Sequence, residues 1–372
     1  MKRRQTKCIK HYLRKYQMYT HGRKQGCRIT LDYTYKGMSI AYLENELLRV
    51  GLLLDKGADI FDFTYKPYDL DFIWQSPQSM RRPFIATKAQ SEGAFHDYYY
   101  GGWQEILPSA GWSQESYKGS CQGMHGEVSL LPFEANILED REDCVSLQLS
   151  VSLYRSPLKL ERKVTLKSGI AALFIYERLV NESTGEFAVM WGHHPAIGEP
   201  FLDDSCIVET PASKIEVFDY HKNGLWQPGG DYTFPKVKNR RTEQLQDVTR
   251  VLSKESKSVD ILFFKELTEG WYGLSNQRLG VGFGMAWDKE LFKYLWMWQV
   301  YGGHDDYPWY GRTYNCALEP FTSYPPTGIN GAIANNTALI MKPKEVIETE
   351  LVAVAYEGQG IKRISLNGNV EL

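Results

Sequence analysis

The chain has 372 residues and near-balanced charge, with 43 Lys and Arg against 45 Asp and Glu for a net charge of −2. That length holds two domains or one large all-β domain. Apolar residues at 43% and charged residues at 24% exclude a disordered chain, and no apolar run approaches the roughly 20 residues of a membrane-spanning helix.

Ten basic residues, from Lys2 to Arg28, precede the first acidic one, Asp32, which leaves 33 basic against 45 acidic residues in the remainder, a net −12. Residues 1–28 are therefore expected to form a basic, flexible tail and residues 29–372 a single body. A basic arm could serve nucleic acid or an anionic membrane. No aromatic–basic platform continues into the body, however, so neither partner is expected. No apolar segment follows the basic residues, so the start does not read as a secretory signal. The six cysteines are scattered with no CxxC pair, a pattern of reduced thiols in a cytoplasmic protein with no metal site.

Along the body, strand signals dominate. Leu47–Leu54 and Ala58–Thr64 are short apolar runs. Val145, Leu147, Leu149, Val151 and Leu153 alternate with polar residues in a period of two. Leu158–Leu166 and Ala171–Val180 follow, parted by the turn signal Lys167-Ser168-Gly169. Further runs cover Asp260–Phe264, Val281–Trp287, Leu291–Val300, Thr337–Met341 and Glu348–Tyr356. Gln227–Tyr232 and Tyr301–Gly311 read as loops. Long amphipathic helices, repeats and linkers are missing from the pattern, which predicts a large antiparallel sandwich.

Within this pattern, Phe187–Trp191 leads into Gly192-His193-His194-Pro195. Successive residues of a strand point to opposite faces, so adjacent histidines cannot share one site. The geometry predicts one imidazole acting alone as acid or base and one structural neighbour. The aromatic content, 13% with 10 Trp and 24 Tyr, suits carbohydrate stacking and a β-core alike.

The ordered set Gly101-Gly102-Trp103-Gln104-Glu105-Ile106-Leu107-Pro108-Ser109-Ala110-Gly111, Met124-His125-Gly126-Glu127, Glu161-Arg162-Lys163-Val164, Glu177-Arg178-Leu179-Val180-Asn181, His194-Pro195 and Leu318-Glu319-Pro320 resembles the aldose 1-epimerase (galactose mutarotase-like) superfamily, over roughly residues 40–355. The resemblance implies an all-β supersandwich and an isomerase of sugar anomers that needs no cofactor. It implies His194 as the acid that protonates the sugar ring oxygen and Glu319 as the base that deprotonates the anomeric hydroxyl. It also implies His125 as a second histidine near the ring oxygen. Glu127, Trp103 and Trp298 are further candidates for substrate contact, with Trp296 and Tyr301 behind them. His193 is expected to be structural, and Arg81 and Arg82 an exposed basic pair.

Departures from the family pattern narrow the substrate. Phosphosugar relatives carry an arginine before the Gly-Gly pair and another after the His-Gly motif. Here Tyr100 and Glu127-Val128-Ser129 stand there, without the guanidinium pair that clamps phosphate. An unphosphorylated monosaccharide or sugar-derived substrate is expected, bound by a monomer or homodimer. His193-His194-Pro195 and Glu319-Pro320-Phe321 mark a branch divergent from galactose mutarotases proper. Two alternatives stand beside an aldose mutarotase. One is a non-catalytic carbohydrate-binding protein on the same fold. The other is a glycoside-cleaving or lyase relative using Glu127 and Glu319 as a carboxylate pair.

Overall fold

The structure, a computed structural model, describes residues 23–80, 91–112 and 115–372, without the side chains of 91–94. Arg81, Arg82 and most of the expected basic tail therefore lie outside the described residues. Gly26 and Cys27 depart from the tail reading, because they are buried. Cys27 is fully buried, its N–H donates to the Glu142 carbonyl at 2.7 Å, and Arg28 opens the first strand paired with Glu44.

Two large antiparallel sheets carry the chain. The larger runs in the order Arg28–Tyr35, Met38–Glu44, Leu48–Leu53, Asp59–Tyr65, Trp103–Ile106, Gly192–Gly198, Tyr314–Phe321, Tyr294–Tyr301, Ser258–Lys265, Lys214–Phe218 and Gly229–Thr233. The smaller has eight strands, ordered Cys206–Glu209, Trp271–Asn276, Val281–Trp287, Val346–Glu357, Ala172–Asn181, Leu158–Lys167, Cys144–Ser152 and Glu134–Asp140. The Lys167-Ser168-Gly169 turn joins a hairpin whose register pairs Leu166 with Leu173 and Leu160 with Leu179.

The period-two alternation sorts side chains into layers. Val145, Leu147 and Leu149 of the smaller sheet meet Leu262, Leu295, Met297 and Leu318 of the larger in one inter-sheet core. The other residues of those same larger-sheet strands, Ile261, Phe263, Trp296, Trp298, Ala317 and Phe321, form a second aromatic-rich layer on the opposite face. Loops and the short helices Ser91–Tyr98 and Gly328–Ala334 contribute Phe95, Tyr99 and Ala332 to that layer. It is the layer that holds the site.

The expected strands are present with small shifts at their ends. Leu291–Phe292 belongs instead to a turn that returns to the Asp288 carbonyl, and the strand starts at Tyr294. Gly229–Thr233 is a strand where a loop was expected; it closes the edge of the larger sheet against Lys214–Phe218. No helix among the described residues is long and apolar enough to cross a membrane.

Candidate functional site

Sheet register builds the site. Gly192–Gly198 pairs with Tyr314–Phe321 so that Gly192 meets Phe321 and Ala196 meets Ala317. The same register sets His194 opposite Glu319. Facing residues on an antiparallel pair stand with side chains in reach of one another, and His194 Nε2 lies 3.4 Å from Glu319 Oε1. The imidazole and the carboxyl thus come from positions 125 residues apart and meet as cross-strand neighbours. Trp296 is the next residue across, opposite Glu319 on Tyr294–Tyr301.

These side chains open into a cavity whose lining is mostly apolar with a few convergent polar groups, the composition of small-molecule sites. His194, Glu319 and His125 line it together with Trp298, whose ring lies 5.5 Å from that of His194. His125 is held from behind: the Gly111 N–H donates to its Nδ1 at 3.3 Å. Its free Nε2 is therefore the protonated nitrogen and the donor available to a ligand. Gly111 must be glycine here, because its φ is +81° and a Cβ would fall 1.8 Å from the Pro326 carbonyl oxygen. The Tyr99 hydroxyl stands 3.4 Å from His194 Nδ1.

Burial governs the charges. It pushes the Glu319 carboxyl well above the usual carboxylate range and the His194 imidazole down to about 4. His125 is lowered further below its ordinary value, by burial first and then by His194 and His96. Both shifts disfavour charge, so burial favours an uncharged imidazole beside a protonated carboxyl, one proton held between two basic atoms.

His193 faces the other way. Its Nδ1 accepts from the Trp103 indole at 3.3 Å and its Nε2 lies 3.1 Å from Glu177. Arg162 binds Glu177 at 2.9 Å and also pairs with Glu105, which accepts from the Trp191 indole at 2.6 Å. This fully buried network explains two of the sequence motifs. Arg162 and Glu177 sit at inward positions of strands that otherwise bury Leu160, Val164, Ile175 and Leu179. They are cross-strand partners, and they fasten the strand that carries the histidines to the opposite sheet.

Two expected substrate contacts are corrected. Trp103 belongs to the inter-sheet core, because it shares a face with Glu105 and not with Gln104. Glu127 is turned away from the cavity and accepts from the backbone N–H groups of Tyr154 at 3.0 Å and Arg155 at 2.8 Å. It fixes a turn, and Glu319 is the one carboxylate among the described lining residues, which removes the carboxylate pair expected for a glycosidase. Tyr301 also lies in the inter-sheet core. Sequence reasoning missed Tyr99, His96, Tyr220, Trp112 and Trp309, all of which line the cavity. They come from loops and a short helix, where no periodicity exists to assign a face. Only the run Tyr98-Tyr99-Tyr100 ahead of Gly101-Gly102 could have flagged one of them.

The antiparallel sandwich is a fold shared with galactose mutarotase-like proteins among solved structures. The chain itself belongs to the DUF4432 family, a domain of unknown function, which matches residues 35–353. Among solved structures it is similar to a candidate aldose 1-epimerase from Klebsiella pneumoniae, with a TM-score of 0.69, 15% identity and coverage of 89% of this chain and 83% of that one. The Slr1438 protein from Synechocystis follows at TM-score 0.61 and 14% identity, over 88% of this chain and all of that one. A galactose mutarotase-like protein from Clostridium acetobutylicum matches at TM-score 0.59 and 12% identity, over 89% and 99%. At such identities the likeness is one of fold. No curated protein matches the chain.

Proposed function

We propose that the protein is an aldose mutarotase acting on an unphosphorylated monosaccharide. The observation that carries this reading is the His194–Glu319 couple, 3.4 Å apart in an aromatic cavity beside the neutral donor His125. The ring oxygen and the anomeric hydroxyl of a pyranose are bonded to the same carbon. The acid and base that serve them must therefore be neighbours on one side of the sugar, not across its width.

The reaction moves two protons and no electrons. With the couple's proton on His194, the imidazolium protonates the ring oxygen while Glu319 takes the anomeric hydroxyl proton. The bond from C1 to the ring oxygen breaks and C1 becomes a carbonyl. The couple then stands as neutral imidazole and carboxylic acid, the state that burial favours. Rotation about C1–C2 presents the other carbonyl face. Glu319 returns its proton to the carbonyl oxygen as the ring hydroxyl attacks and gives its own to His194. The couple ends with the same one proton in each cycle, so it needs no exchange with solvent. The His125 Nε2–H is suited to orient the ring oxygen or a neighbouring hydroxyl, and the Trp298 face to pack against the pyranose.

The test is saturation-transfer NMR on a panel of freshly dissolved single-anomer sugars. Acceleration of anomer exchange for at least one sugar is expected. Unchanged exchange across the panel, in the presence of demonstrable sugar binding, would instead make the protein a non-catalytic binder.

A further inference from the structure

We propose that Tyr99 is a positioning residue of the His194–Glu319 couple: its hydroxyl oxygen accepts from His194 Nδ1–H, which fixes the imidazole tautomer that leaves Nε2 open to Glu319. The inference deepens the mutarotase reading and rests on it for the reaction, though not for the tautomer. Two oxygens flank the ring, Glu319 Oε1 at 3.4 Å from Nε2 and the Tyr99 hydroxyl at 3.4 Å from Nδ1. A neutral imidazole carries one N–H and one bare nitrogen, so the two sides compete for the same hydrogen.

The reaction decides which side must have it. The couple's proton passes between Glu319 Oε1 and His194 Nε2, so Nε2 is bare whenever that proton lies on the carboxyl. The hydrogen of the neutral ring then stands on Nδ1. When the proton crosses to Nε2 the ring is an imidazolium, and Nδ1–H is still present. The donor at Nδ1 thus persists through the whole cycle and needs an acceptor throughout. With the hydrogen on Nε2 instead, the carboxyl proton would have no basic nitrogen to enter, because Nδ1 faces Tyr99. A phenol oxygen can accept from Nδ1–H, and that bond strengthens when the ring is charged, the state in which His194 protonates the sugar.

A phenol suits this task better than a carboxylate. A carboxylate at Nδ1 would favour the charged ring and hold the proton on His194, out of exchange with Glu319. Burial first, and then the charges of Glu319 and Asp59, hold the Tyr99 hydroxyl well above its ordinary pKa, so it fixes the tautomer without bringing a charge. Packing fixes its own place. The Tyr99 ring stacks on Phe95 at 5.0 Å and 22° and stands edge-on to Trp309 at 5.7 Å and to His194 at 5.6 Å. The Ser76 hydroxyl donates to the Tyr99 backbone carbonyl at 3.3 Å. The adjacent Tyr100 packs elsewhere, in a separate buried cluster with Met38, Ile40 and Phe61.

The experiment reads the tautomer directly, by long-range proton–nitrogen correlation NMR at neutral pH on the full-length protein with isotope-labelled histidines and no sugar. His194 is assigned by the signals missing in His194→Ala. In the unsubstituted protein its Nδ1 should be protonated and its Nε2 bare; a ring protonated at Nε2 alone overturns the inference. Tyr99→Phe should move the population toward the Nε2–H tautomer, while Tyr100→Phe, which removes a buried hydroxyl from the separate cluster, should leave it in place. An unmoved tautomer in Tyr99→Phe overturns the inference and assigns the tautomer to the His194 backbone carbonyl, the other acceptor acting on the ring. An equal shift in Tyr100→Phe overturns it as well, because the effect would then be general loosening. For any sugar whose anomers the protein exchanges, Tyr99→Phe should lower kcat by at least about tenfold and change KM far less; a loss carried by KM alone overturns the positioning role. Both tautomer results in a protein that exchanges no sugar would uphold the Tyr99 contact while refuting the mutarotase reading.

Discussion

At the scale of single residues, the site is defined by what burial does to two titratable groups. The His194 imidazole is pushed down to about 4 and the Glu319 carboxyl upward, so burial widens the pH range of the couple's one-proton state from both ends. Below it, His194 takes a second proton; above it, Glu319 loses the last one. The pH dependence of kcat/KM, which reports the free enzyme, should therefore show no limb at the ordinary imidazole value and fall as pH drops through about 4. A limb at the ordinary imidazole value near 6.5 would show that His194 is solvated. Stability follows with a definite sign. Glu319 keeps its proton in the folded chain and loses it in the unfolded one, so its contribution is present below the unfolded carboxyl pKa and is lost as pH rises through the window up to its raised folded value. Glu319→Gln abolishes that loss. Its stability relative to the unsubstituted protein should grow by about 1.4 kcal/mol per pH unit across that window, measured by urea unfolding at several pH values. A pH-independent difference would contradict a protonated Glu319. The family resemblance singled out His194 and Glu319 through local motifs, and the structure brings the two side chains within 3.4 Å. Trp103 was misplaced because an aromatic beside a motif looks the same whichever face it occupies.

At the scale of elements, the strand Gly192–Gly198 is held by two different chemistries on its two faces. One face presents His194 to the cavity, and the other ties His193 to Glu177, Arg162 and Trp103 in the core. Breaking a buried ion pair from one side strands its partner without compensation, at a cost of about 3–5 kcal/mol. Glu177→Ala should therefore lower unfolding stability by about that amount, although Glu177 lies on the far side of the sheet from the cavity. Chemical denaturation monitors it, and a loss below about 1 kcal/mol would show that the network contributes little. The alternation of Gly192–Gly198 predicted the split between the histidines. The same alternation places Arg162 and Glu177 among leucines, but a charged residue at an inward position reads as an interruption until its cross-strand partner is known. Pairing between strands is long-range information, and a single sequence carries it only where a turn such as Lys167-Ser168-Gly169 fixes the register.

At the scale of the whole molecule, the antiparallel sandwich was readable from alternation in the long central strands, where one face is buried and the other is wet. The outer aromatic layer was not, because strands such as Tyr294–Tyr301 and Tyr314–Phe321 are buried on both faces and lose the alternation that marks a face. The cavity walls contributed by loops were beyond periodicity altogether. This architecture brings His194 and Glu319 into one register and surrounds them with tryptophan and histidine, yet a fold hosts many functions and the site must carry the claim. The most direct test is the anomer-exchange rate of the responding sugar with the unsubstituted protein, His194→Ala, Glu319→Gln and the double variant, each checked for native circular dichroism. Residues that act as one unit lose activity non-additively. Each single substitution should slow exchange by at least about 100-fold, and the double variant should be no slower than the worse single one. Exchange at the unsubstituted rate in either single variant would contradict the account.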